Sequence, residues 1–149
     1  MSDLNRSSQM SETIEVQTSA GTPVKGGLTA YITVDGAAKA ATFYEKAFGA
    51  TIAAQMPPDD KGKTAHIHLY VNGSSLMLTD HYAEHGHTVT APAGFFLTLA
   101  VRDAKAAFKR AVDAGCTPVQ IPEKMFWGDI YAQVRDPFGI LWAMNQGTA

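Results

Sequence analysis

The sequence predicts an α+β fold in which two βαβββ modules pair into a curved mixed sheet with helices on its outer face. Three observations carry this. The second half repeats the plan of the first at an offset of about 66–67 residues, too long for a solenoid and right for a duplicated βαβββ unit. Each half holds one alanine-rich run of helical character, Ala37 to Phe48 and Ala104 to Ala114, closed by Gly49 and Gly115. Each half ends in a strand just past a glycine turn, Ser75 to Thr79 after Gly73 and Ile140 to Met144 after Gly139.

The chain of 149 residues is enough for one domain, residues 25–149, built from modules at about 26–82 and 93–146. Residues 1–24 are rich in Ser, Thr, Gln and Glu, hold no aromatics and read as a flexible tail, though Thr13 to Val16 has the pattern to pair at a sheet edge. With 46% hydrophobic and 17% charged residues the remainder can bury a core. A net charge of −2 gives no reason to expect nucleic acid or an anionic membrane as partner. No apolar run reaches the ~18–20 residues of a membrane span, and the N-terminus lacks a signal pattern. Cys116 is the one cysteine and reads as a strand-start residue, which fits a cytoplasmic protein.

Strand residues alternate faces, so each strand divides into a helix-facing and a cleft-facing set. In the first module Leu28, Ala30, Ile32 and Val34 should lie beneath a helix that buries Ala40, Phe43, Ala47 and Phe48. Thr29, Tyr31 and Thr33 take the other face. Ile67, Leu69 and Val71 oppose His66, His68 and Tyr70; Leu76 and Leu78 oppose Met77 and Thr79. In the second module Phe95, Leu97, Leu99 and Val101 oppose Phe96, Thr98 and Ala100. Ile130, Ala132 and Val134 oppose Tyr131, Gln133 and Arg135, and Ile140, Trp142 and Met144 oppose Leu141, Ala143 and Asn145. Further strands fall near Thr51 to Gln55 and Thr117 to Ile121. Asn72-Gly73 is a hairpin signal, Asp136 to Gly139 a proline turn, and His81 to Pro92 the linker between modules.

The cleft face so defined mixes hydroxyls, imidazoles, an amide and rings. Half-buried polar groups are costly unless satisfied, so this pattern reads as a ligand-sized cleft; plain solvent exposure of the face is the other reading. The candidate ligand-binding residues are Tyr31, Thr33, His66, His68 and Thr79 in the first module and Phe96, Trp127, Tyr131 and Gln133 in the second. Trp127, Asp129 and Tyr131 group at the mouth of a strand, where the rings suit either a stacked planar ligand or an ordinary packing corner.

Several of these runs resemble the vicinal-oxygen-chelate superfamily, which holds glyoxalase I, extradiol dioxygenases and the bleomycin-resistance proteins. The matching runs are Tyr31 to Tyr44 and Ala47-Phe48-Gly49-Ala50. His66, Leu76-Met77-Leu78-Thr79-Asp80, Trp127-Gly128 and Asp136 to Trp142 are similar to its PhnB-like branch. The likeness spans roughly residues 26–145. It implies the glyoxalase/bleomycin-resistance fold and a homodimer that completes each small-molecule cleft with a second subunit. It also implies a divalent metal held by His and Glu side chains, but those positions carry Thr29, Met77, Phe96 and Ala143. None can ligate as its counterpart does. The expectation is therefore no metal, no cofactor and no assigned catalytic residue.

His66-x-His68 sets two imidazoles about 7 Å apart on one strand face. A metal there would need a third ligand, and hydrogen bonding to a ligand is the simpler use. His81, His85 and His87 have metal-like spacing but sit in the linker around Gly86 and read as a solvated loop. Asp80 and Glu45 show no partner in sequence and are assigned no role as a base.

The leading reading is a metal-free small-molecule binding protein acting as a homodimer. The alternative is a lyase or isomerase using His66 and His68, through a metal or by acid–base chemistry. A structural or regulatory protein is the third, and it predicts a cleft collapsed by Tyr31, Phe96 and Trp127.

Overall fold

The computed structural model describes residues 16–17 and 21–148. The proposed pairing of Thr13 to Val16 lies mostly outside the described residues; within them β1 (Val16–Gln17) pairs antiparallel with β2 (Pro23–Val24). The first module follows as β3 (Ala30–Thr33), α1 (Ala37–Phe48), β4 (Thr51–Gln55), β5 (Ile67–Val71) and β6 (Ser74–Thr79). The second is β7 (Leu97–Ala100), α2 (Ala104–Ala114), β8 (Thr117–Lys124), β9 (Ile130–Arg135) and β10 (Leu141–Gln146). The expected α+β class and two βαβββ modules are present. Each module forms its own four-stranded mixed sheet, in the orders β3-β6-β5-β4 and β7-β10-β9-β8, with its first and last strands parallel. Among the described residues no ladder joins the two sheets.

The duplication extends to how the helices begin. Gly36 precedes α1 at φ 97°, a conformation that disfavours any side chain, and has no side chain to cap the helix. Asp80, one residue past β6, takes over: its carboxylate accepts from the N–H groups of Gly36 (2.7 Å) and Ala37 (3.0 Å), and from Thr64 N–H (2.8 Å). A carboxylate there also suits the positive end of the helix dipole. Gln146, about 66 residues later, plays the same part for α2 by accepting from Ala104 N–H at 2.9 Å, while Asp103 accepts from Ala106 N–H. Asp80 thus has three partners that sequence could not show, because all are backbone groups distant along the chain.

The core is common to both modules. Ala40 and Ala47 are buried as expected, but the fully buried aromatic of α1 is Tyr44, with Phe43 and Phe48 only partly buried. The reason is that α1 is covered from two sides. Its small residues Ala37, Ala40 and Ala41 are buried in the common core, while Tyr44 and Phe48 reach across to Trp142 in the second sheet, at ring separations of 5.3 and 4.3 Å. Asp136 locks this crossing by accepting from Tyr44 Oη (2.5 Å) and Trp142 Nε1 (2.9 Å). Arg110 of α2 donates to the α1 carbonyls of Lys46 (2.9 Å) and Glu45 (3.3 Å), tying the end of α1 to α2; the Glu45 carbonyl also accepts from Gly49 N–H.

Among the described residues the two first strands, β3 and β7, are unpaired on their outer sides. A groove of about 350 Å³ is lined by both, including Leu28, Ala30, Leu76, Leu97, Leu99 and Trp142. Leu28 and Phe95, assigned to the buried face by alternation, are 92% and 47% exposed. Both precede these open edges; Leu28 is left almost bare there and Phe95 about half covered.

Candidate functional site

The candidate ligand-binding residues fall into two clusters, one per sheet. On the first, Tyr31 projects from β3 and its hydroxyl meets Nδ1 of His66 at 2.9 Å. Thr33 is half-buried beside Thr79, its register partner on β6. Thr79 is buried and donates to the Asp80 carbonyl. His68 has no exposed surface; its Nε2 lies 2.7 Å from Ser75 Oγ, and among the described residues its Nδ1 has no partner. Ser75 Oγ also accepts from Lys25 N–H at 2.8 Å. Tyr70, the next residue on this face, donates to the Pro23 carbonyl at 2.7 Å under the Lys25 ammonium. The segment around Pro23–Lys25 therefore ties down the inner end of this face, and the Tyr31–His66 end stays open.

The second cluster lies at the β8–β9 hairpin. Gln133 Nε2 donates to Tyr131 Oη at 2.9 Å, and Trp127 stands edge-on to Tyr131 at 6.1 Å. Phe126 is 98% exposed at the hairpin tip and Trp127 is 48% exposed. Asp129 accepts from Asn145 Nδ2 at 2.9 Å, so it braces the hairpin against β10. Gly128 makes the tip possible: its φ is 103°, and a Cβ would lie 3.1 Å from Thr148. Phe96 is half-exposed just before β7. Among the described residues no hydrogen bond or ring contact joins this cluster to the first.

Electrostatics keep these groups neutral. Burial lowers the pKa of His66, and burial followed by the neighbouring His66 lowers that of His68. Both imidazoles are thus uncharged near neutral pH. Burial raises the Tyr31 hydroxyl, which stays protonated. Cys116 is buried and pushed up to about 12, first by burial and then by Asp136, so it offers no thiolate.

Sequence reasoning missed His87. The linker is not a loose solvated loop there: Tyr82 and His87 bridge across a short turn (Ala83–His85), and His87 stacks on Tyr31 with centroids 5.7 Å apart. The available signal was Gly86, a left-handed hairpin residue flanked by two aromatic side chains.

The metal implied by the superfamily does not fit the residues at its positions. Thr29 and Met77 are half-buried, Phe96 offers a ring, and Ala143 is a buried methyl opposite Thr98. Among the described residues, no three His, Cys, Asp or Glu side chains gather as a metal-binding group. Hard divalent cations require carboxylate or imidazole donors, and this quartet has none; a single Thr hydroxyl does not make a site.

An uncharacterized protein of Mycobacterium bovis is 40% identical over 129 residues, covering 83% of this chain and 84% of its own. The solved structure of an Arabidopsis thaliana gene product superposes with a TM-score of 0.64 at 29% identity, covering 80% of this chain and 97% of that one. A glyoxalase/bleomycin resistance protein/dioxygenase family enzyme from Burkholderia phytofirmans shares the fold, with a TM-score of 0.66 at 18% identity over 79% of this chain and 95% of that one. The model of the Glyoxalase/Bleomycin resistance protein/Dioxygenase superfamily matches residues 26–144, and the chain belongs to that superfamily.

Proposed function

We propose that the protein binds a small molecule without a metal, in a cleft assembled between two copies of the chain. The observation that carries this is the separation of the two aromatic–polar clusters onto different sheets. Each is half of a ligand site. The open edges of β3 and β7 supply the means of joining them, because they are equivalent strands of the duplicated unit. Pairing β3 of one copy with β7 of another would extend each four-stranded sheet into eight strands, with Tyr31 and His66 on one half of the shared face and the other copy's Trp127 and Tyr131 on the other half. Such a site is incomplete in a single chain. The neutral imidazoles, hydroxyls and rings suit a partly aromatic, hydrogen-bonding ligand. The expected setting is the cytoplasm, with neither nucleic acid nor membrane as partner.

A screen of drugs and metabolites by thermal shift tests this reading. A ligand at about 100 times its dissociation constant adds about 2.7 kcal/mol to the folded state, and the melting temperature should rise by about 5–10 °C. Trp127→Ala should abolish the rise. A broad screen with no stabilising compound, or one in which Trp127→Ala responds like the parent, overturns it.

A second reading, acid–base chemistry, draws on the uncharged imidazole of His66 at the open end of the first face. It predicts turnover of a bound ligand that disappears in His66→Ala while binding persists.

A further inference from the structure

This inference rests on the cleft reading above and names what its first half recognises. Residues 81–87 fold back as a hairpin in which Tyr82 N–H donates to the His87 carbonyl at 2.7 Å and His87 N–H returns the bond at 3.0 Å. Asp59 holds the hairpin by accepting from Tyr82 Oη at 2.8 Å, and the Lys63 ammonium lies 4.4 Å from the centre of that ring. His87 is thereby placed against Tyr31 with the two rings within 12° of parallel. His66 stands 5.6 Å from the same tyrosine ring. Three rings from three separate segments converge on one open patch.

The polarity of that patch follows from one proton. Tyr31 Oη has a single hydrogen and two acceptors near it, His66 Nδ1 at 2.9 Å and the Ala65 carbonyl at 3.5 Å. The hydrogen is assigned to the shorter contact, because 3.5 Å is at the limit of a hydrogen bond; the opposite tautomer, Nδ1–H donating to Tyr31 Oη with the hydroxyl turned to Ala65, would present a bare Nε2. His66 Nδ1 is then the acceptor, and the neutral imidazole carries its hydrogen on Nε2. Among the described residues, neither that Nε2–H nor the ring of His87 has a hydrogen-bond partner. The patch offers an unused imidazole donor beside a two-ring aromatic stack.

We propose that Tyr31, His66 and His87 form a subsite for an aromatic carboxylate, whose ring extends the Tyr31–His87 stack and whose oxygen accepts from His66 Nε2–H. A charged acceptor makes a bond roughly twice as strong as a neutral one, and the facing imidazole of His87 can add a second donor. The reading also explains why a linker histidine is carried onto the sheet by a braced hairpin.

Benzoate and benzamide, titrated into the full chain while the histidine ring signals are followed by NMR, test this. Benzoate should shift the His66 and His87 signals saturably and bind about tenfold more tightly than benzamide. His66→Phe, which keeps a ring, should erase that preference, with His66→Gln as the substitute should the first variant not fold. His87→Ala should weaken both probes. Equal affinities for the two probes, unchanged benzoate preference in the His66 variants, or no saturable shift at His66 and His87 overturns the subsite. Stabilisation by a screened ligand that leaves both histidine signals unmoved overturns the subsite alone; failure of the whole screen removes the cleft reading beneath it.

Discussion

Replacing Asp136 by alanine should destabilise the protein by about 3–5 kcal/mol, the cost of removing one partner from a buried charged network. Asp136 is 4% exposed and serves four donors. One oxygen accepts from the N–H groups of Phe138 (2.8 Å) and Ile140 (2.9 Å), which shapes the proline turn before β10. The other accepts from Tyr44 Oη of the first module and Trp142 Nε1 of the second. The substitution strands a buried indole N–H and a buried hydroxyl, and it cuts a tie between modules. Tyr44→Phe removes a single donor and should cost about 1–2 kcal/mol. Urea denaturation at neutral pH measures both. A loss below about 1 kcal/mol for Asp136→Ala would mean the four bonds are replaced by water or rearranged neighbours.

Leu28→Glu should convert the protein to a monomer and abolish ligand binding without unfolding it. Leu28 is 92% exposed, so no packing within the chain is lost. In the proposed dimer the same side chain lies at the junction of β3 with the other copy's β7, where an unpaired carboxylate costs several kcal/mol to desolvate. Sedimentation velocity should show the parent as a dimer and the variant as a monomer, with unchanged far-ultraviolet circular dichroism. A variant that stays dimeric, or a monomer that binds as well as the parent, contradicts the arrangement.

The fold was legible because its signals are local and repeated. Ile67, Leu69 and Leu78 are fully buried as alternation requires, and Gly49 and Gly115 end their helices at positive φ. What alternation cannot convey is which surface lies opposite a face. Tyr44 is buried in place of Phe43 because α1 meets a second sheet, and that follows from how the modules dock. Leu28 sits on an apolar face but beyond an unpaired edge, so its pattern position and its exposure disagree. The candidate site divides in the same way. Tyr31 and His66 were marked by their shared face, and the structure places their polar atoms in contact. His68 and Thr79 share that face yet are buried, held by Ser75 and the Asp80 carbonyl. His87 was hidden because only the fold-back of the linker brings it to Tyr31.

Mixing two inactive variants tests most directly whether the cleft is shared between copies. One variant carries Tyr31→Ala and His66→Ala, which disable the first half-site; the other carries Trp127→Ala and Tyr131→Ala, which disable the second. Neither should bind alone. After dissociation and reassociation at equal amounts, about half the dimers should be mixed, and each mixed dimer should hold one intact cleft. Calorimetry with a ligand found by thermal shift should then recover about a quarter of the parent's binding capacity at the parent's affinity. No recovery, with mixed dimers demonstrated by mass spectrometry, would place both half-sites in separate or single-chain roles and contradict the shared cleft.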